Sequence, residues 1–257
     1  MLELRNIRKT LAGKTVLDQL SLQVERGRTL VIVGSSGAGK SVALQHMIGL
    51  MKPDSGEVLV DGRPLHSARG RALSELRRSF GMLFQGGALI NWMNVFDNVA
   101  LPLRERGGIG EEEIEERVRQ ALALVNLPEV ESKMPPELSG GMLRRAGLAR
   151  AIVTRPPIIL YDEPTAGLDP VLSRSIDQLI HKLQHEMNVT SVVVTHDLIS
   201  AFSVGDQVAL LHQGRIVSLG TPRQFQADPE PLVQSFIEAQ RMNHVEYGDR
   251  EQRDMPS

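Results

Sequence analysis

The stretch Gly34–Ser41 reads GSSGAGKS and fits the pattern G-x-x-x-x-G-K-[ST]. Its glycines let the backbone wrap closely with N–H groups pointing inward, and a helix starting at Lys40 adds partial positive charge. Lys40 can reach β and γ phosphates, and Ser41 can hold Mg²⁺. A Gly-rich turn with a solvated lysine is the alternative reading. We predict a loop that binds the phosphates of a nucleotide, made of Gly34, Ser35, Ser36, Gly37, Ala38, Gly39, Lys40 and Ser41.

A second stretch, IILYDE (Ile158–Glu163), supplies carboxylates. Four apolar residues place Asp162 at the carboxyl end of a buried strand, the edge where open α/β sheets bind ligands. Asp162 is therefore predicted to help hold Mg²⁺, with Ser41. Glu163 follows directly and is free to polarise a water. The alternative is a pair of surface acids at a strand end.

A third stretch, LSGGM (Leu138–Met142), opens a predicted helix. Ser139 can act as its N-cap, and Gly140 and Gly141 let a phosphate approach the helix N-terminus. Many loops read S-G-G, so this stretch gains specificity only from the other two.

The elements that must position these residues follow from periodicity. Thr29–Val33 is a continuous apolar run, typical of a strand buried on both faces, and a helix is predicted from Lys40 to about Leu50. Residues 86–155 carry few strand signals. Glu111–Leu127 repeats apolar residues on one helical face, so this section is predicted to be an inserted helical subdomain.

The last part returns to alternating elements. A helix is predicted over Ser173–Met187 between two strands, and a hairpin turns near Gln213-Gly214. A final helix is predicted at about Pro231–Met242, before a polar tail over 243–257.

Composition narrows the function classes. Of 257 residues, 41% are hydrophobic, no apolar run approaches a membrane span, and the charged N-terminus does not resemble a signal peptide. The chain has no Cys, which excludes disulfides and thiolate metal sites. A net charge of −2 does not point to nucleic acid, and no nucleic-acid partner is expected.

Taken together, GSSGAGKS, Gln85, LSGGM, IILYDE, AGLD (Ala166–Asp169) and Thr195-His196 resemble an ABC-transporter nucleotide-binding subunit in order and approximate spacing. The resemblance runs from about Leu2 to about Gly220. It implies an α/β fold, a P-loop NTPase with a RecA-like core, an antiparallel β subdomain and the inserted helical subdomain. Residues 1–242 would form one ATPase domain.

The same resemblance implies roles by position. Two chains would form a head-to-tail homodimer, with ATP and Mg²⁺ between them and Ser139, Gly140 and Gly141 contacting the γ-phosphate across the interface. Glu163 would be the catalytic base, and His196 would hold the γ-phosphate and the base. Gln85 would contact Mg²⁺, and Asp169 would link the two sites.

The stretches GMLFQGGALINWMNVFDNVALPLRE and ELSGGMLRRAGLARAI resemble the Mla/Mkl-type ATPases that serve MCE-domain lipid transporters. This implies phospholipid transport through a separate permease and an MCE-type lipid-binding protein. The chain would sit peripherally on the cytoplasmic face of the inner membrane. The permease would dock near Gln85–Phe96, with Trp92, Met93, Val95 and Phe96 forming or bordering its groove. Alternatively, Trp92 and Phe96 are core residues.

Other functions stay open. The alternative to lipid transport is an ABC subunit for another cargo, such as amino acids or lipoproteins. A non-transport ABC protein usually carries two cassettes or coiled-coil insertions, and a P-loop kinase would not need LSGGM. The arginines Arg69, Arg71, Arg77 and Arg78, with Glu75 at helical spacing, favour a solvated face over a lipid or nucleic-acid patch.

One departure concerns the adenine base. Family members usually stack it on an aromatic residue, but the matching region KTLAGKTV offers only Leu11 and Val16. We predict apolar contact from Val16, weak adenine discrimination and effective competition by GTP.

We also hypothesise that the tail beyond Met242 strengthens the homodimer, the alternative being a frayed terminus.

Overall fold

The protein is described by a computed structural model over residues 1–240. The predicted tail over 243–257 and its contribution to a dimer lie outside these residues. No helix within this part of the chain is long and apolar enough to cross a membrane.

Two sheets organise the described residues. The strands are β1 Leu2–Leu11, β2 Lys14–Val24, β3 Thr29–Val33, β4 Ser55–Val60, β5 Arg63–Pro64, β6 Phe80–Leu83, β7 Ile158–Asp162, β8 Thr190–Thr195, β9 Gln207–His212 and β10 Arg215–Gly220. An antiparallel sheet has the order β2-β1-β4-β5, and a six-stranded sheet has the order β10-β9-β3-β8-β7-β6. The larger sheet is parallel except for the β9–β10 hairpin.

The helices are α1 Lys40–Met47, α2 Gly70–Arg77, α3 Val95–Arg106, α4 Glu111–Leu124, α5 Gly140–Ile152, α6 Pro170–Met187, α7 Leu198–Val204, α8 Pro222–Gln226 and α9, residues 231–240. A short 3₁₀ turn, Pro135–Glu137, precedes α5. The helices α3, α4 and α5 are inserted between β6 and β7 and pack against one another.

The parallel sheet separates two cores. Leu30 and Ile32 of β3 pack with the antiparallel sheet and α1, whereas Val31 and Val33 face the core that contains the inserted helices. Successive strand residues point to opposite faces. An uninterrupted apolar run is therefore needed to fill both cores, and all five residues of β3 are buried.

The strand register aligns the carboxyl ends of β3, β8 and β7, which lead into the predicted site residues. Val33 of β3 pairs with Thr195 of β8, and Val194 pairs with Asp162 of β7. Because these strands are parallel, their carboxyl ends meet at one edge of the sheet. The loops that follow β3, β7 and β8 therefore converge there.

The predicted α/β fold with an antiparallel sheet and inserted helices is confirmed. The strand over Thr29–Val33 and the turn at Gln213-Gly214 also match. Helix ends were less well predicted. The helix from Lys40 ends at Met47, and the one predicted to begin at Ser173 begins at Pro170, where Asp169 caps it.

Candidate functional site

The loop Gly34–Ser41 wraps around the end of β3 and leads into α1. Gly39 holds φ at +106°, and a Cβ there would lie 2.9 Å from the carbonyl oxygen of Val16. Glycine is therefore needed both for the backbone conformation and for the close approach of β2. Lys40 is buried, and its Nζ donates to the carbonyls of Gly34 (2.7 Å) and Ser35 (3.2 Å).

Ser41 and Asp162 meet across the sheet edge. Ser41 Oγ donates to Asp162 Oδ1 at 3.1 Å. Burial raises the pKa of the Asp162 carboxyl, the nearby charge of Glu163 adds to this rise, and the Ser41 hydrogen bond and Lys40 oppose it. A carboxylate that burial makes costly to keep charged gains most from a nearby cation.

Glu163 adopts the left-handed region, with φ of +47°, directly after β7. Its backbone N–H donates to the carbonyl of Val194 at 2.9 Å, so the turn is tied to β8. Its Oε1 lies 3.7 Å from Lys40 Nζ, and its Oε2 lies 2.8 Å from His196 Nδ1. The structure thus brings Lys40, Glu163 and His196 together from three separate loops.

The electrostatics of Lys40 reflect a balance. Burial lowers the pKa of Lys40, and the charges of Glu163 and Asp162 act in the opposite direction. The Lys40 ammonium lies beside these two carboxylates and against the loop backbone, where its positive charge can attract a phosphate.

Lys40, Glu163 and His196 line a cavity of about 760 Å³, large enough for a nucleotide. Its walls are formed by Leu11, Val16, Ser35, Ser36, Gly37, Gly39, Lys40, Ser41, Val42, Gln85, Glu163, Ala166, His196, Phe236, Ala239 and Gln240. Gln85, Leu11 and Val16 thus line the same cavity as residues of the Gly34–Ser41 loop.

The donors in and behind this cavity suit Mg²⁺. Hydroxyl, amide and carboxylate oxygens are available from Ser41, Gln85 and Asp162, and hard oxygen ligands are the ones that Mg²⁺ prefers. Burial raises the pKa of the Asp162 carboxyl, so a bound Mg²⁺ would stabilise its charged form.

The LSGGM stretch lies elsewhere. Ser139 caps α5, its Oγ accepting from the Met142 N–H at 3.3 Å, as predicted. Gly140 is exposed, and Gly141 packs under Leu172, where a Cβ would approach within 3.2 Å. None of Ser139, Gly140 and Gly141 is among the cavity's wall residues.

Two arginines without a role predicted from the sequence, the buried Arg144 and the half-buried Arg150, tie α5 to the site. Arg144 donates to the carbonyls of Pro164 (3.2 Å) and Ala166 (2.8 Å), just beyond Glu163. Arg150 donates to the carbonyl of Gly87 at 3.2 Å. The available signal was two arginines at spacing i, i+6 within the small and apolar residues of GMLRRAGLARAI.

The segment after Gln85 packs closely on the same helix. A Cβ on Gly87 would lie 2.4 Å from the carbonyl oxygen of Leu143, and one on Gly147 would lie 2.7 Å from the carbonyl oxygen of Gly87. Gly87 also holds φ at +82°. The backbone beside Gln85 is therefore in direct contact with the helix that begins at the LSGGM stretch.

A second groove, of about 990 Å³, opens between the parallel sheet and the inserted helices. Its apolar lining comes from Ile48, Leu50, Leu73, Phe80, Met82, Phe84, Ala88, Leu101, Pro102 and Ala151, and its polar lining includes Arg77, Arg78, Glu105, Arg106 and Arg150. Leu50 is 62% exposed.

Trp92, Met93, Val95 and Phe96 were expected to form or border the permease-docking groove, and none of them lines the groove described here. Val95 is fully buried in the core of the inserted helices, and Phe96 packs against that core. The helix N-cap at Asn94 turns these side chains inward. Trp92 is 80% exposed and belongs to neither the core nor the groove. The segment reaches the groove through Phe84 and Ala88 instead.

Comparison with known proteins places these features in a family. The family model described as ABC transporter matches residues 17–166. The chain belongs to the ABC transporter family. As one of its ATPase cassettes, it binds and hydrolyses ATP.

Relatives match almost the whole chain. It is 40% identical to the intermembrane phospholipid transport system ATP-binding protein MlaF of Escherichia coli K12, over 93% of this chain and 88% of that one. It is 39% identical to the probable ribonucleotide transport ATP-binding protein mkl of Mycobacterium tuberculosis H37Rv, over 98% and 70%.

Solved cassettes share the fold. The dimeric structure of MJ0796, a bacterial ABC transporter cassette, is 35% identical, with a TM-score of 0.80 over 87% of this chain and 99% of that one. The cbiO1 protein of Clostridium perfringens, part of the transporter complex cbiONQ, is 29% identical, with a TM-score of 0.81 over 96% and 98%.

Proposed function

We propose that this ATPase works as a head-to-tail homodimer in which each ATP is held by the loop Gly34–Ser41 of one chain and Ser139–Gly141 of the other. One observation carries the proposal: the cavity contains Lys40, Gln85, Glu163 and His196 but none of the LSGGM residues. The exposed, capped N-terminus of α5 offers unpaired N–H groups that suit a phosphate from another chain.

Within each site, Glu163 acts as the general base for the attacking water. Its carboxylate is within hydrogen-bond distance of His196 Nδ1, which leaves His196 Nε2 to face the γ-phosphate. Lys40 neutralises phosphate charge, in keeping with a reaction that depends mainly on positioning and electrostatics. Mg²⁺, held by Ser41, Gln85 and Asp162, would supply further charge neutralisation on the phosphates.

We further propose that the groove next to Gln85 receives a segment of a membrane permease. Its lining combines apolar side chains with arginines, as interface cores often do. Gly87, near Gln85, contacts α5, the helix that begins at the LSGGM stretch. A movement of the permease segment would therefore reach the LSGGM stretch through this contact. The chain would then be bound peripherally at the cytoplasmic face of the inner membrane.

For cargo we propose phospholipid, with an MCE-type lipid-binding protein in the assembled transporter. The similarity to MlaF supports this choice, and the residues of the segment after Gln85 resemble that subgroup. The printed name of the mkl relative makes ribonucleotides the second candidate.

The cross-chain site can be tested because the chain has no cysteine of its own. Chains carrying Ser36→Cys and chains carrying Ser139→Cys are mixed with ATP in a Glu163→Gln background and treated with a short bismaleimide. Cross-linked dimers should form in the mixture and not with either variant alone. Absence of ATP-dependent cross-links would contradict the head-to-tail arrangement.

The cargo assignment is tested by affinity purification of the tagged subunit from detergent-solubilised membranes of its native host. Recovery of a multi-span permease with an MCE-domain protein supports phospholipid transport. Recovery of a different permease keeps the ATPase mechanism and rejects the lipid assignment.

A further inference from the structure

The helix α9 borders the nucleotide cavity, although it lies far from the ATP-binding motifs in sequence. Phe236, Ala239 and Gln240 are among the cavity's wall residues. Their spacing of three and four residues places them on one face of the helix. This face was not assigned any role by the motifs.

The position of α9 is fixed by the rest of the fold. Val233 and Ile237 are buried in the core that contains the inserted helices, and Phe236 packs partly against that core. At the start of the helix, Gln234 Nε2 donates to the carbonyl of Asp228 at 2.6 Å, and Ser218 Oγ of β10 donates to Asp228 Oδ2 at 2.5 Å. The ring of Phe236 is therefore supported at the cavity wall rather than left on a loose terminus.

The chemistry of the cavity divides it into two parts. Backbone and polar groups around Lys40 suit a triphosphate, so the rest of the nucleotide must lie against other walls. The apolar walls come from Leu11 and Val16 of the β1–β2 hairpin and from Phe236 and Ala239 of α9. Phe236 is the one phenyl, phenol or indole ring among the wall residues of this described cavity.

We propose that Phe236 provides the aromatic surface on which the nucleotide base stacks, in place of the aromatic residue that the β1–β2 hairpin lacks. The inference rests on the proposal that this cavity holds ATP. Because every base has a π-face, stacking on a phenyl ring adds affinity without choosing between bases. Phe236 therefore strengthens ATP and GTP binding alike, which agrees with the predicted competition by GTP.

The test measures binding of ATP, GTP and inorganic tripolyphosphate to the purified full chain by calorimetry. Phe236→Ala should weaken ATP and GTP binding each by about 5- to 150-fold and leave tripolyphosphate binding unchanged. Phe236→Tyr should bind all three like the wild type. Leu232→Ala is the matched control, because Leu232 lies on the same helix, is 40% exposed and does not border the cavity.

Several results would overturn the inference. Wild-type nucleotide affinity in Phe236→Ala, or stronger binding as if α9 obstructed the site, would do so. Full affinity in Phe236→Leu would show that apolar volume suffices, and an equal loss of tripolyphosphate binding would show a distorted site.

A wrong assignment of the cavity as the ATP site would give a different result from a wrong assignment of Phe236. Lys40→Ala should lose affinity for both ATP and tripolyphosphate. If Lys40→Ala bound both normally, the cavity itself would be wrongly assigned, whatever the behaviour of Phe236.

Discussion

The loop Gly34–Ser41 and the LSGGM stretch both present a helix N-terminus, yet they differ in what surrounds them. The first lies in a cavity with Lys40, Glu163 and His196 delivered from three strand ends. The second is capped by its own Ser139 and contributes no residue to the walls of that cavity. In the proposed head-to-tail dimer, one chain would supply the Gly34–Ser41 half of each phosphate site and its partner would supply the LSGGM half.

The connection between the two regions is internal. Arg144 joins α5 to the residues just after Glu163, and Gly87 touches α5 next to Gln85. Helix α5 is therefore in contact both with the backbone that follows Glu163 and with the segment that reaches the groove.

The largest effect is expected from replacing Glu163, the proposed general base. Glu163→Gln should lower ATP turnover by about 10²–10⁴-fold, because the amide cannot accept a proton from water. ATP affinity should stay near the wild-type value, since Lys40 and the loop are unchanged. Phosphate release and nucleotide binding measure the two quantities. Normal turnover would show that another group is the base.

The second prediction places one defect in the Gly34–Ser41 loop of one chain and one defect in the LSGGM stretch of another chain. Lys40→Ala and Ser139→Arg should each be inactive as pure dimers. Lys40→Ala loses affinity for the phosphates, and Ser139→Arg blocks the N-terminus of α5. A random mixture should recover about a quarter of wild-type turnover, because mixed dimers keep one intact composite site.

The control for this mixture is a double variant. Chains that carry Lys40→Ala and Ser139→Arg together should recover nothing when mixed with Glu163→Gln chains, since every site then has a defect. No recovery in the first mixture would place both halves of each site in one chain.

The third prediction concerns the groove. Leu101→Asp should reduce copurification of the permease by at least about tenfold, because a charge would enter an apolar interface. Trp92→Asp is the matched control, at an exposed position outside the groove. Equal losses for both variants, or loss with Trp92→Asp alone, would return the docking surface to the segment first predicted.

The smallest effect tests the contact between α5 and the segment after Gln85. Gly147→Ala brings a methyl group within 2.7 Å of the Gly87 carbonyl oxygen. A cost of about 1–3 kcal/mol in the free energy of unfolding is expected, which lowers Tm by several degrees. Gly110→Ala adds its methyl to open space and should change Tm little. An unchanged Tm in Gly147→Ala would show that this contact is loose.

Local patterns predicted much of the catalytic half. The Gly34–Ser41 loop needs a strand, a sharp turn and a helix within about fifteen residues, and each carries its own signal in apolar runs, glycines and periodicity. Asp162 and Glu163 were predictable for the same reason, because the run IILY fixes where the strand ends. Helix ends such as Met47 were less predictable, since tertiary contacts decide how far a helix continues.

The sequence by itself determined the phosphate chemistry, the family and the residues at the ends of the buried strands. Only the tertiary structure decided that Phe236 borders a cavity built by residues some two hundred positions earlier. It also decided that Phe84 and Leu101, rather than Trp92, line the groove. The physical reason is that a motif acts through neighbouring backbone, whereas a cavity wall depends on how distant helices pack onto a shared core.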